Sequence, residues 1–386
     1  MRVFCLFLAG MLLLCGCSSP GEIRQTLPVP TEAAKVAVSV IAAESPAAEV
    51  LPPDPVEVLL DSMTPEEKVG QLFLVRRNPN TAMEDIERYH LGGFVFFAKD
   101  FQNQTPDSIR ATLQQYQSAS DVPLLIAVDE EGGTVNRVSS YTAFRSKPFP
   151  SPRDAYAQAG MDMVLSMEIE KGYLLSSLGI NVNLGPVCDV VTTPRSFMYR
   201  RSLGEDPMVT AAFAIGASRQ LNSFGVGSVL KHFPGYGDNA DTHTGIAVDN
   251  RSLEELESRD LIPFSLATLA GCQAIMVSHN TVTALDADYP ASLSPAVHQY
   301  MRQTMGFDGV IVTDDLAMGA IRKQYGAEES AVLAVLAGND LLCTTDYVQQ
   351  YPAVLEAVES GRIPMEQLNA SVERILRWKQ SLGLIP

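Results

Sequence analysis

Residues 309–320 read GVIVTDDLAMGA: five apolar or β-branched residues run without interruption into two carboxylates, Asp314 and Asp315, and then into a helix-like pattern. A strand with no polar alternation is one buried on both faces, as in a parallel sheet covered by helices. Similar short runs recur along the chain: GQLFLV (70–75), GGFVFF (92–97), PLLIAVD (123–129), INVNLGPV (180–187), SVLKHF (228–233), AIMVSH (274–279) and DLLCTT (340–345). Helical patterns separate most of them, such as DPMVTAAFAIGASRQLNSFG and PAVHQYMRQTMG, each closing on a glycine suited to a helix C-terminus. Eight such strands predict an α/β fold, a (β/α)8 TIM-type barrel. A doubly wound open sheet is the alternative, but VRRNPN after the first strand is not a glycine-rich phosphate turn.

A barrel carries its reactive groups at the C-terminal ends of its strands. Asp129, Lys231 with His232, His279 and Asp314 all fall at or just past a predicted strand end. Asp315 reads as the N-cap of the helix that Leu316 begins, which leaves Asp314 at the barrel mouth as a candidate catalytic carboxylate. The loop KHFPGYGDNADTHTG (231–245) gathers further ionisable groups. Its Asp241-x-His243 spacing lets a carboxylate accept a hydrogen bond from one imidazole nitrogen and leave the other facing a substrate. His232, Asp238, Asp241 and His243 are also legitimate metal-ligand types, yet no tight ligand spacing accompanies them, so neither metal nor cofactor is expected. His279 reads as a supporting histidine, His90 and His298 as helix residues, and Met318 as packing beneath the turn after Asp314.

Length and composition set the outer bounds. At 386 residues and 46% hydrophobic the chain can bury a substantial core, and a net charge of -17 excludes a nucleic-acid binder or a polybasic membrane-surface protein. The first residues, MRVFCLFLAGMLLLCGCSSP, carry one positive charge, an apolar stretch too short to span a bilayer comfortably, and a small residue before Cys17. Leu14 to Cys17 resembles the lipobox of bacterial lipoproteins, which predicts residues 1–16 as a signal peptide and lipidation of Cys17, outside the cytoplasm and with the membrane reached only through that anchor. Residues 17–55, rich in Pro, Ala and Glu, read as a flexible tether, and 56–386 as the catalytic barrel. Thr64, Pro65 and Glu67 form a capping-box signature at its first helices. Cys188, Cys272 and Cys343 are too few and too scattered for a disulfide framework and read as small buried hydrophobes.

Four ordered motifs resemble glycoside hydrolase family 3, in its branch of NagZ-type β-N-acetylglucosaminidases: AVDEEGGTVNR (127–137), RRSLGEDP (200–207), KHFPGYGDNADTHTG and VTDDLAM (312–318), with SMTPEEKVGQLF similar to the family's opening helix. The resemblance covers nearly all of 56–386. It implies Asp314 as nucleophile, His243 as general acid/base oriented by Asp241, and Asp129, Arg137, Arg201, Lys231 and His232 as groups holding the terminal sugar. Arg201 is chosen over Arg195 and Arg200 by its place in RSLGEDP. Three departures stand out: Tyr236 for a histidine and Thr242 for a serine, both expected to lie between the chemical groups, and Thr134 for an arginine. The implied activity is retaining exo-cleavage of terminal β-linked N-acetylglucosamine from carbohydrate such as cell-wall muropeptides, through a glycosyl-Asp intermediate. A retaining site sets nucleophile and proton donor roughly 5 Å apart, and an imidazole that titrates near neutrality serves as donor and then as base. A neutral base also repels a carboxylate on the leaving group, such as a muramic lactyl group, less than a second carboxylate would, and it admits phosphate as an alternative acceptor. The alternatives are a β-glucosidase or β-xylosidase of the same family, which the D-x-H dyad disfavours, or a non-catalytic wall-binding lipoprotein, which the retained Asp314, Asp241 and His243 disfavour.

Overall fold

The computed structural model describes residues 54–204, 206–237 and 247–386. Its strands are β1 (Phe73–Arg76), β2 (Gly93–Phe96), β3 (Leu125–Val128), β4 (Val182–Asn183), β5 (Gly227–Ser228), β6 (Leu230–Phe233), β7 (Val248–Asp249), β8 (Ala274–Val277), β9 (Thr281–Val282), β10 (Val310–Thr313) and β11 (Leu342–Thr344). All their pairings are parallel, in the orders β11-β1-β2-β3-β4-β5 and β10-β8-β6, with β7 against β9. β5 and β6 are one strand interrupted at Val229, and parallel bridges Val187 to Lys231 and Val312 to Leu341 join the two arcs. The ring therefore closes as an eight-stranded barrel. The eight expected strands are all present.

The strands form because their residues are buried on both faces: β2, β3, β6, β8 and β10 are buried throughout. Helices such as Pro106–Ala119, Pro207–Asn222 and Met365–Ser381 cover the outside. Three of the boundaries that differ from the sequence reading have a visible cause. β1 starts at Phe73 rather than residue 70, because Gly70 and Gln71 complete the helix Pro65–Gln71. β4 ends at Asn183, whose side chain turns to hold the Glu130 backbone, accepting from its N–H at 2.9 Å. The helix after β10 starts at Gly319, not Leu316. Leu316 N–H instead donates to the Cys343 carbonyl at 3.0 Å, and the Asp315 carboxylate accepts from Ala317 N at 2.9 Å and from Thr345 N and Oγ1 at 3.2 and 3.0 Å. Asp315 thus ties the turn after β10 to the end of β11 and does not cap a helix.

The predicted capping box at Thr64 is formed, with Glu67 N–H donating to Thr64 Oγ1 and Thr64 N–H to Glu67 Oε2. Cys188, Cys272 and Cys343 are free thiols in buried positions. Among the described residues no helix is long and apolar enough to cross a membrane.

Candidate active site

The C-terminal ends of the strands open into a cavity of about 380 Å³. Asp129 follows β3 directly, Lys231 and His232 lie within β6, and Asp314 follows β10. Arg137 and Arg201 reach the same cavity from the loops after β3 and β4. The structure thus brings together Asp129, Arg137, Arg201, Lys231, His232 and Asp314. Asp241 and His243, the expected proton-transfer pair, and Cys17 lie outside the described residues, as do Asp238 and Thr242. The described chain on either side of that segment is anchored at the site: Tyr236 lines the cavity, and β7 pairs with β9 just past the end of β8.

A buried ionic network organises the floor. Lys231 Nζ lies 2.7 Å from Asp129 Oδ1 and 2.7 Å from Glu131 Oε1. Arg201 grips Glu131 with both arms of its fork, Nε to Oε2 at 2.9 Å and Nη2 to Oε1 at 2.7 Å. Arg137 Nη2 approaches Asp129 Oδ2 at 3.3 Å. Burial pushes the Glu131 carboxyl up, but the charges of Arg201 and Lys231 outweigh it and hold the group well below the usual carboxylate range. Burial likewise lowers Lys231, and Asp129 and Glu131 more than offset it, so the ammonium stays charged. The network fixes three cations, Lys231, Arg201 and Arg137, and one partly open carboxylate, Asp129, on the cavity wall. That set suits sugar hydroxyls, which donate to a carboxylate and accept from cations.

His232 is held in one tautomer. Its Nδ1 sits 2.8 Å from Asp189 Oδ2, an acceptor only, so Nδ1 carries the hydrogen and Nε2 presents a lone pair toward Arg201 Nη2 at 3.4 Å. The same carboxylate accepts from the backbone N–H groups of His232 at 3.1 Å and Tyr236 at 2.7 Å. The Lys231–His232 and Phe233–Pro234 peptide bonds are cis. Gly235, with φ at +116°, passes so close to Asp260 that an added Cβ would sit 2.8 Å from the Asp260 Cβ.

The loop after β3 owes its shape to Glu130. Its buried carboxylate accepts from Arg137 N at 2.9 Å and Val138 N at 2.7 Å, and also from the Ser139 hydroxyl. Gly132 is required where the loop turns back: its φ is +103° and a Cβ there would meet the Pro150 carbonyl oxygen at 2.2 Å.

At the end of β10, Asp314 N–H donates to the Val277 carbonyl at 3.0 Å and Asp314 Oδ1 accepts from Asp315 N at 2.9 Å. His279 lies behind this turn, fully buried, with Nε2 donating to the Asp315 carbonyl at 3.0 Å and Nδ1 accepting from Ser292 Oγ at 2.7 Å. It supports the turn, as expected.

Tyr236 is buried on the cavity wall, its ring 5.2 Å from the His232 ring and edge-on to it, and 5.1 Å from Phe197. One expectation changes. Met318 lines the cavity rather than packing beneath the turn. Thr134 is exposed and is not itself a lining residue of the cavity, although its neighbour Val135 is. The sequence reading missed Glu131 and Asp189. The acidic triplet Asp129–Glu131 was the only signal for the first; Asp189 hides in an apolar run, PVCDVV.

One group among the described residues has metal-ligand geometry, Glu67, His90 and Asp121, with ligand atoms within 4.8 Å of one another. It precedes β1, β2 and β3 and so sits on the face opposite the cavity.

Residues 64–378 match the family described as glycosyl hydrolase family 3 N terminal domain. The beta-hexosaminidase LpqI of Mycobacterium tuberculosis is 32% identical over 330 residues, covering 82% of this chain and 83% of that one. A solved glycoside hydrolase family 3 beta-N-acetylglucosaminidase from Paenibacillus superposes with a TM-score of 0.79 at 33% identity, over 84% of this chain and 63% of that one. The structure of M. tuberculosis LpqI gives 0.76 at 31% identity, over 85% and 96% of the two chains.

Proposed function

Because the chain belongs to glycosyl hydrolase family 3 and is a glycoside hydrolase, we propose that its cavity removes terminal, non-reducing β-linked N-acetylglucosamine with retention, from cell-wall muropeptide fragments. The observation that carries this reading is Asp314 at the end of β10, in one cavity with the Asp129–Lys231–Glu131–Arg201 network. The relatives named β-hexosaminidase and β-N-acetylglucosaminidase support the choice of sugar.

In the proposed reaction an Asp314 carboxylate oxygen attacks the anomeric carbon as the glycosidic C–O bond breaks, and the leaving oxygen takes a proton from His243. Water, deprotonated by the same imidazole, then displaces the carboxylate. Asp129 accepts from sugar hydroxyls while Lys231, Arg137 and Arg201 donate. These contacts accelerate the step to the extent that they tighten as positive charge develops on the ring. His232 accepts at Nε2, as the tautomer set by Asp189 allows. Asp241 orients His243 in this reading.

The location follows from the amino terminus. Lipid on Cys17 and a tether over residues 17–55 would hold the barrel outside the cytoplasm. A fatty-acid probe should label wild type and not Cys17→Ala; an unlabelled, soluble wild-type product contradicts the anchor.

The activity is tested with purified protein on a chromogenic β-N-acetylglucosaminide and the matching β-glucoside. Wild type should favour the first strongly, and Asp314→Ala should lose at least about 10³-fold in kcat, the scale of losing covalent catalysis. Equal activity on the glucoside refutes the substrate, and undiminished turnover in Asp314→Ala refutes the mechanism.

A further inference from the structure

Beside the catalytic cavity lies a second cleft of about 450 Å³, and the two share the side chain of Arg76 at the end of β1. Thr344 lines the first and Thr345 the second, so the clefts also adjoin along the end of β11. Thr345 is hydrogen-bonded to Asp315, the residue after the proposed nucleophile. A group leaving from a sugar bonded at Asp314 therefore has this cleft as a neighbour.

The cleft's charge is unusual for this molecule. In a chain with a net charge of -17 it is lined by Arg76, Arg77 and Lys99, and no carboxylate is among its described lining residues. Arg77 is accounted for by Asp100 at 2.9 Å and the Tyr116 hydroxyl at 3.0 Å. Arg76 and Lys99 have no carboxylate within 4.0 Å among the described residues. Arg76 is nonetheless held in place, its guanidinium 4.3 Å above the Phe97 ring, which leaves its N–H edge available for a planar anion. Lys99 is exposed on the short helix Ala98–Phe101, directly after β2. An oriented arginine with a second cation beside it and no carboxylate in the lining makes a carboxylate site, and Asn78 and Thr345 in the same lining add polar groups for the rest of a leaving group.

We propose that Arg76 and Lys99 form an anion-reading subsite for the leaving group, selecting N-acetylglucosaminides whose aglycone carries a carboxylate close to the scissile bond. The inference rests on the glycosidase reading above. It assigns the cleft to the chemistry of a lactyl or peptide carboxylate, and it makes Arg76 and Lys99 determinants of specificity with no part in bond cleavage.

The test compares N-acetylglucosaminyl-β-1,4-N-acetylmuramic acid with its lactyl methyl ester, which has nearly the same shape and no charge. Wild type should show kcat/KM about tenfold higher on the acid, the scale of two partly exposed charge contacts, and added salt should shrink that preference. The ratio should fall to about threefold in Lys99→Gln and approach one in the Arg76→Gln/Lys99→Gln double variant. Reading the ratio cancels any general loss in the double variant, and Lys99→Gln alters only an exposed side chain. Wild type that cleaves both substrates alike, or variants that keep the wild-type ratio, overturn the subsite and leave the glycosidase reading standing. Wild type that cleaves neither substrate nor the chromogenic N-acetylglucosaminide overturns both.

Discussion

At the scale of single residues, the site is built by carboxylates that hold its cations, its loop and its histidine in place. Glu131 aligns Lys231 and Arg201, Glu130 shapes the loop that carries Arg137, and Asp189 sets the tautomer of His232. Asp189 gives the sharpest test. In Asp189→Asn the amide can no longer accept from Tyr236 N, His232 N and His232 Nδ1 together, so the ring loses its enforced Nδ1–H form. Nitrogen chemical shifts should show His232 leaving that tautomer, and KM for the N-acetylglucosaminide should rise roughly tenfold, the scale of one lost hydrogen bond to a charged group, with kcat falling less. Unchanged His232 shifts and an unchanged KM would show that Asp189 only holds the backbone. These anchors explain what sequence reading reaches and what it does not. Asp129 and Asp314 are legible because each follows an apolar strand, where barrel geometry sends a side chain to the mouth. Nothing in DEE separates Glu131, which pairs with the cations, from Glu130, which holds the loop. Asp189 is illegible because its partner, His232, is 43 residues away.

At the scale of elements, the eight barrel strands are readable because strands buried on both faces appear as continuous apolar runs. Their ends are less so, since tertiary hydrogen bonds decide them. QLFLV could belong to helix or strand until Gly70 and Gln71 are seen to finish the helix Pro65–Gln71, and DDLAM reads as a helix start until Asp315 is seen to bond Thr345. The last helix, Met365–Ser381, carries a pH-dependent feature on its inner face. Lys379 is fully buried with Nζ 2.7 Å from Gln71 Oε1, and burial lowers its pKa to about 7. The unfolded chain binds that proton up to about pH 10.4, so between about pH 7 and 10 the unfolded state holds more protons than the folded one. Stability from this group therefore rises with pH across that window and is at its lowest below pH 7. In urea unfolding at pH 7 and pH 9.5, wild type should gain a few kcal/mol more than Lys379→Met. An identical gain in both would show that Lys379 is not the source.

At the scale of the whole molecule, a closed parallel barrel places groups from β1, β3, β6, β10 and β11 around one opening, each residue fixed by its own strand. The chain's excess of acid is absent from the second cleft, which is why its cations are informative there and would not be on a basic protein. The central claim is that Asp314 forms a covalent bond to the sugar. It is tested most directly by reacting the protein with a fluorinated β-N-acetylglucosaminide bearing an activated leaving group, which slows the second step, and mapping the adduct by peptide mass spectrometry. The account predicts the added sugar mass on the peptide containing Asp314 in wild type and no adduct in Asp314→Asn. An adduct on another residue, or turnover whose first-formed product is the α-anomer, would contradict it.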